Sequence, residues 1–319
     1  MKGYKILEFN DVQADLEKYH KTGGNPGLYL GFESMEKFYS MRQDSVTDWT
    51  GLPQSGKTEL MLECLYNTTA FYGWKHLLCV PDIGDAVDIM AVLIHKHTGQ
   101  TFDVRYNNHI EISKAFRACA ELLENFKIIH KTNSTALLSP IEFWDYAIEY
   151  KKEFGINTAV IDSWKDMFHD YKKMGTYAQY LSTVLPYRNH LSEKHKIHFH
   201  TVIHPKTPRR DAKGEYYHPQ ADDMEGGAQW NNSGKTIISV HRKTFDTKVA
   251  DVQMLKVKPK AIGKRGFFAI NFDVSTSRYY DMTNEGGGMN VYAKRKEDKA
   301  KPLTPSKDFT QPIKAEELY

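Results

Sequence analysis

Cysteine is scarce in this sequence: three residues, Cys64, Cys79 and Cys119, in a chain of 319. None belongs to a C-x-x-C pair, and an odd, scattered set makes no disulfide framework. A reducing, cytosolic setting is the expectation that follows. Long apolar runs are missing too. No stretch reaches the roughly 18 residues that would mark a membrane-spanning helix. The N-terminus shows no apolar signal core, so a soluble protein with no membrane anchor is expected. Charge of one sign is also lacking, because 43 Lys and Arg against 40 Asp and Glu leave a formal net charge of only +3. The whole chain is therefore not a bulk polycation, and any surface that attracts nucleic acid has to be local. Internal repeats are absent, which argues against solenoids and propellers. What is present, 40% hydrophobic and 26% charged residues, is the composition of a globular protein with an ample core.

One stretch organises the rest. Gly51-Leu52-Pro53-Gln54-Ser55-Gly56-Lys57-Thr58 fits G-x-x-x-x-G-K-[ST], the nucleotide-binding P-loop. The β-formers of Ser45–Thr50 precede it, and Glu59–Leu65 reads as the first turns of a helix. The glycines permit a loop whose N–H groups turn inward around phosphate oxygens, and the helix start adds its positive dipole end. Lys57 is suited to the β- and γ-phosphates and the Thr58 hydroxyl to Mg²⁺. Gly51, Pro53, Gln54, Ser55, Gly56, Lys57 and Thr58 are thus the candidate ATP-binding residues.

Strand-like runs at 45–50, 76–80, 127–130, 158–162, 198–203 and 236–241 alternate with helical segments near 59–71, 85–97, 111–125, 140–153 and 177–195. That rhythm predicts an α/β fold with a mainly parallel central sheet flanked by helices. Shorter runs at 252–258, 267–272 and 278–281 predict a β-rich C-terminal extension of the sheet. Residues 1–30 read as an arm in which 11–19 form a short amphipathic helix, either packed on its own domain or docked on a neighbouring subunit. Residues 31–283 form the folded domain. Residues 284–319 read as a flexible, mixed-charge tail.

A P-loop needs a second acid on a nearby strand. Thr158-Ala159-Val160-Ile161-Asp162 is an apolar strand ending in Asp, placing Asp162 to hold Mg²⁺ through water. His204 ends another strand, where it can hydrogen-bond a γ-phosphate or polarise water; the plain alternative is an ordinary strand-end histidine. Asp82, at the end of the run Leu77–Val80 and after Pro81, is the candidate that orients or deprotonates the attacking water. Asp85, three residues on, reads as a helix N-terminal residue.

Four blocks in order and spacing now resemble a known family: the P-loop, Val160-Ile161-Asp162-Ser163-Trp164, Val202-Ile203-His204-Pro205-Lys206, and Gly226-Gly227-Ala228-Gln229-Trp230-Asn231-Asn232. The chain is similar to the RecA-like helicase domain of the DnaB/Twinkle group of hexameric replicative helicases, in particular the primase-helicases of phages and mitochondria. The resemblance spans about residues 30–281 and leaves no room for a primase domain ahead of it. It implies a RecA-like P-loop NTPase that uses ATP and Mg²⁺, forms a homo-oligomeric ring, and translocates on single-stranded DNA while unwinding duplex. It implies that His204 senses the γ-phosphate and couples it to the following loop, where Lys206, Arg209, Arg210 and Lys213 contact DNA. The residues agree with that loop reading, since four cations in a Pro- and Gly-containing segment suit phosphate contacts; the plain alternative is a solvated loop. Phe272 matches an aromatic that stacks on the nucleotide base. A separate primase or loader partner, and a bacterial host cytoplasm if a phage encodes the chain, follow from the family's distribution.

Two departures matter. Asp82 stands where the family has Glu, one methylene longer. The family's trans-acting Lys-x-Arg finger corresponds to Lys256-Val257-Lys258, so Lys258 replaces a guanidinium that makes planar bidentate contacts. These changes keep two other readings open: a RecA/KaiC-type DNA-binding ATPase such as a recombination mediator or helicase loader, and a nucleotide-binding protein with degraded catalysis.

Overall fold

The computed structural model describes residues 5–282 except 23, 25, 134, 207, 208, 213, 245 and 246. The C-terminal tail predicted at 284–319 and Lys213 lie outside the described residues. Strands β1 (Val46–Thr50), β2 (His76–Cys79), β3 (Phe126–Ile128), β4 (Thr158–Ile161), β5 (His198–Val202) and β6 (Thr236–His241) run parallel, and β7 (Val249–Lys256), β8 (Gly266–Asp273) and β9 (Arg278–Asp281) continue the sheet antiparallel. The nine strands lie in the order β3-β2-β4-β5-β1-β6-β7-β8-β9. The mainly parallel sheet with a β-rich extension is therefore what the sequence predicted. All residues of β1, β2, β4, β5 and β6 are buried, as expected for parallel strands covered on both faces.

The helices are α1 (Phe9–Thr22), α2 (Glu33–Glu36), α3 (Lys57–Tyr72), α4 (Ala86–Thr98), α5 (Ile112–Leu123), α6 (Pro140–Phe154), α7 (Tyr177–His195) and α8 (Gly227–Ser233). One apolar core, built on Leu60, Leu65, Leu93 and Leu122, fills the face beneath α3, α4 and α5. A second, built on Trp144, Trp164, Leu185 and Trp230, fills the face beneath α6, α7 and α8. Local signals set the starts. Asp85 caps α4 in a reciprocal box with Asp88, as Ser139 does with Glu142 for α6 and Thr176 with Gln179 for α7.

Several boundaries differ from expectation. The run predicted at 252–258 is a strand from Val249 to Lys256, because pairing with β8 extends it backwards through Val249 and Ala250. The run predicted at 127–130 is a strand from Phe126 to Ile128, the residues whose ladder with β2 pairs His76 to Leu78. The Gly226–Asn232 block, read only as a motif, contains a short helix that starts from Gly226 in the left-handed conformation at φ 76°.

One buried charge pair holds the centre. Asp48 on β1 and Arg188 on α7 are both fully buried, joined at 2.6 and 3.3 Å, with the guanidinium also donating to Thr201 Oγ1 at 2.9 Å. Arg188→Ala would leave an unpaired carboxyl in the core, with an expected loss of about 3–5 kcal/mol in urea unfolding. The paired change Asp48→Leu with Arg188→Met should recover most of it, and an Arg188→Ala variant as stable as the parent would refute the assignment.

Candidate functional site: a nucleotide crevice with an adjoining basic hairpin

The strand order brings the candidate residues to one edge. The C-terminal ends of β2, β4, β5 and β1 lie side by side, so Asp82, Asp162, His204 and the P-loop follow one another along that edge. This is the crevice in which open α/β sheets bind ligands.

The P-loop has the backbone its glycines allow. Gly51 has φ 154° and Gly56 φ 88°. A Cβ on Gly51 would meet the Val240 carbonyl oxygen at 2.3 Å, and one on Gly56 the Tyr279 hydroxyl at 2.2 Å. Gln54 adopts a left-handed φ of 61° between Pro53 and Ser55. α3 then begins at Lys57, which aims its N-terminus into the loop. Lys57 is 4% exposed. Burial lowers its pKa, and the carboxylates of Asp162 and Asp82 act in the opposite sense.

Asp162 is fully buried, and the Thr58 hydroxyl donates to its Oδ2 at 2.5 Å. Burial raises the Asp162 pKa to about 6, against the lowering effects of Thr58 and Lys57. Its Oδ1 is buried with no hydrogen-bond partner among the described residues, and so is Ser55 Oγ. An unsatisfied buried oxygen is costly, and Asp162 Oδ1 beside the Thr58 hydroxyl suits a hard divalent cation and its water shell. The donor set therefore fits Mg²⁺, whose charge would also return Asp162 to its ionised form.

Asp82 is one-third exposed, with one oxygen 3.8 Å from His204 Nε2 and the other 3.5 Å from the Lys165 ammonium. Burial brings the His204 pKa down to about 4, helped by Lys57 and Lys165. The ring is neutral at physiological pH and available for hydrogen bonding.

Phe272 lies close to the loop through one intermediary. Its ring is 4.8 Å from that of Tyr279 on β9, and the Tyr279 hydroxyl donates to the Gly56 carbonyl at 3.1 Å. Arg242, just after β6, sets its guanidinium 5.2 Å from the Phe272 centroid and donates to Tyr279 at 3.2 Å. Arg242 and Tyr279 belong to this site and escaped the sequence reading. The only sequence signal was a basic residue at a strand end beside the P-loop strand, and it depended on knowing the strand order.

Beyond His204 the chain makes a hairpin rather than an irregular loop. Pro205 and Met224 pair at its base and Arg210 and Tyr216 near its tip. Lys206, Arg209 and Arg210 are exposed on it. Arg209 is bound to Asp223, and Arg210 stacks 3.9 Å over Tyr216, so both are pre-positioned rather than free.

Lys256 and Lys258 sit elsewhere. β7 runs against β6, so Lys256 pairs with Ile237 at the sheet edge opposite the P-loop. Lys256 donates to the carbonyls of Asn231 and Asn232. Lys258 lines a cavity of about 580 Å³ with Arg42, Lys196 and Lys235. Neither lysine reaches the P-loop of its own chain.

Comparison with known proteins gives the same picture. No family model matches the chain. The Twinkle homolog protein, chloroplastic/mitochondrial, of Arabidopsis thaliana is 26% identical over 289 residues, covering 86% of this chain and 40% of that protein. A solved isolated ATPase domain superposes with a TM-score of 0.70 at 14% identity, over 87% of this chain and all of that one. A DnaB-like replicative helicase, solved in a study of its interactions with primase, gives 0.69 at 16% identity over 88% of this chain and 68% of that one. The chain resembles a DnaB/Twinkle-type helicase domain. The structural likeness establishes the RecA-like ATPase fold for it. The chain spans two-fifths of the length of that curated relative, and among its described residues no helix is long and apolar enough to cross a membrane.

Proposed function

We propose that this chain is the motor domain of an ATP-dependent replicative DNA helicase, an oligomeric ring that moves along single-stranded DNA and separates duplex. The observation that carries the reading is the direct continuity from His204, in the nucleotide crevice, into the hairpin at 205–224 that bears Lys206, Arg209 and Arg210. Pro205, the residue after His204, pairs with Met224 at the hairpin base, so any movement of His204 toward a phosphate acts on the hairpin without a relay.

In this reading the P-loop amides and Lys57 hold the ATP phosphates. Thr58 and Asp162 would hold Mg²⁺, which supplies positive charge to the phosphate oxygens when bound. Asp82 orients a water against the γ-phosphorus. The new P–O bond forms as the bond to the β–γ bridging oxygen breaks, its electron pair leaves on ADP, and the water's proton passes to Asp82. Phe272 and Arg242 face the base. Lys206, Arg209, Arg210 and Lys213 contact the DNA backbone, and Lys258 serves the nucleotide of an adjoining copy.

Two uncovered apolar helix faces support assembly with further copies. Phe9, Leu16 and Tyr19 on α1 are 69%, 57% and 54% exposed, and Ile112 and Phe116 on α5 are 59% and 68% exposed. A primase or loader on another polypeptide completes the proposal.

A second reading has its own support. The short Asp82 is engaged with Lys165, and Lys256 is tied to backbone carbonyls, which favours a nucleotide-binding switch, and one measurement separates the two readings. ATP turnover is measured with and without single-stranded DNA, alongside strand separation. DNA-stimulated turnover with unwinding supports the helicase; stimulation without unwinding favours a mediator or loader; tight ATP binding with no turnover favours the switch.

A further inference from the structure

Trp164 pins the chain two residues after Asp162. It is 2% exposed, its ring lies 5.0 Å from that of Trp230 and 6.3 Å from that of Trp144, and its indole N–H donates to the Tyr177 hydroxyl at 3.0 Å. The backbone of the next residue, Lys165, is therefore anchored in the second core while its side chain is half exposed. That side chain turns to the crevice and sets its ammonium 3.5 Å from Asp82 Oδ1.

A single lysine beside a partly exposed carboxylate is ordinarily a weak surface pair. Three features set this one apart. Its partner carboxylate also faces His204, at 3.8 Å from the other oxygen. Its charge is felt by both Lys57 and His204, whose pKa values it helps to lower, so all three cations and proton carriers surround one volume. Asp162 and Asp166 also face that volume from the chain that carries Lys165, which leaves a net need for positive charge once an anionic phosphate enters.

We infer that Lys165 is a catalytic cation acting in cis, contacting the γ-phosphate of the ATP bound by its own chain while it holds the Asp82 carboxylate. A lysine ammonium has three donors, so it serves a phosphate oxygen and a carboxylate together. The inference rests on the ATPase reading above. It accounts for how a chain with Lys258 at the trans position and a short Asp82 still neutralises the charge that develops on the transferred phosphoryl group: the missing guanidinium charge is supplied from within the same subunit. It also fixes Asp82 from one side, which compensates for the missing methylene by restricting where the carboxylate points.

The test uses the full chain with Lys165→Ala, Lys165→Met and Lys165→Arg, each checked by thermal melting. Affinities for a non-hydrolysable ATP analogue and for ADP are measured by fluorescence, with turnover measured separately. Loss of one charge-assisted contact should weaken analogue binding by about tenfold or more while leaving ADP binding unchanged. kcat should fall and KM for ATP should rise in step with the lost analogue affinity, and Lys165→Arg should restore much of both. An unchanged preference for the analogue over ADP in Lys165→Ala and Lys165→Met would overturn the inference and leave Lys165 as a support for Asp82. Absence of Lys57-dependent turnover in the parent chain would instead defeat the ATPase reading, and the analogue-to-ADP ratio would still decide the phosphate contact.

Discussion

Between pH 6.5 and about pH 4 the melting temperature of this protein is expected to fall steeply. Three of the sheet's histidines are fully buried: His76 on β2 and His198 and His200 on β5. Each is held neutral by its setting. His76 contacts the Thr158 and Thr69 hydroxyls at 2.7 and 2.9 Å, His198 contacts Thr47 at 2.9 Å, and His200 accepts from the Trp49 indole at 3.1 Å. Burial brings the pKa of His76 down to about 3 and of His198 to about 4, and takes His200 well below its ordinary value. Because the folded pKa is depressed, the unfolded chain binds protons first. Stability is complete above the unfolded value near 6.5 and is lost as pH falls toward the folded values. The loss is on the order of 3 kcal/mol per histidine, a large part of a domain's usual total. Asp48 and Asp162 oppose this, since burial raises their pKa values and their protonation favours the fold, but the histidines outnumber them. Thermal scans across this range would show the slope, and His198→Gln should flatten it. A melting temperature that holds steady down to pH 4.5 would contradict the account.

Lys57→Ala is expected to lower ATP turnover by roughly 10²–10³-fold, the usual cost of deleting one preorganised group that stabilises transition-state charge. Lys57 is buried between the P-loop and the carboxylates of Asp162 and Asp82, so no exposed cation can take its place. Loss of its ammonium also removes a positive neighbour from Asp162, whose pKa should rise further. Circular dichroism should remain unchanged, because the Lys57 backbone stays in the first turn of α3. Turnover that survives in Lys57→Ala would mean a contaminating enzyme or a different site, and the P-loop assignment would fall. Lys57→Arg is not a conservative control: the planar guanidinium is bulkier than the ammonium for which this buried position leaves room.

The parts of the site legible in the sequence share one property: each ends a parallel strand or opens the helix after it. Lys57, Thr58, Asp82, Asp162 and His204 are local features of strand–loop–helix units, and parallel order brings their strand ends to one edge. Tyr279 was not legible because it reaches the P-loop from the antiparallel extension, whose path back across the sheet no local pattern encodes, and Arg242 was not because its approach depends on β6 lying beside β1. Lys165 was hidden by an ordinary charged loop, and its direction follows only from the packing of Trp164. The hairpin after His204 read as a loop because its pairing is two isolated bridges rather than a strand. Conversely, Lys256 matched a motif position but is occupied by the carbonyls at the end of α8, a contact between segments about 25 residues apart that a spacing rule does not capture.

The last strand carries a consequence for where the chain can be shortened. Arg278 on β9 is buried against Glu63 of α3 at 2.6 Å and donates to Asn67 and the Lys96 carbonyl, while Lys96 meets Glu59 at 2.6 Å. Tyr279, beside it, covers Gly56. A chain cut ahead of residue 278 would strip from the Glu63 carboxylate the nearer of its two cations, leaving Lys96 at 3.6 Å, and would uncover the loop itself. The minimal nucleotide-binding unit is thus not the parallel half of the sheet that bears the motifs. It runs through β9, and trimming from the C-terminal side should abolish ATP binding before it visibly shortens any helix.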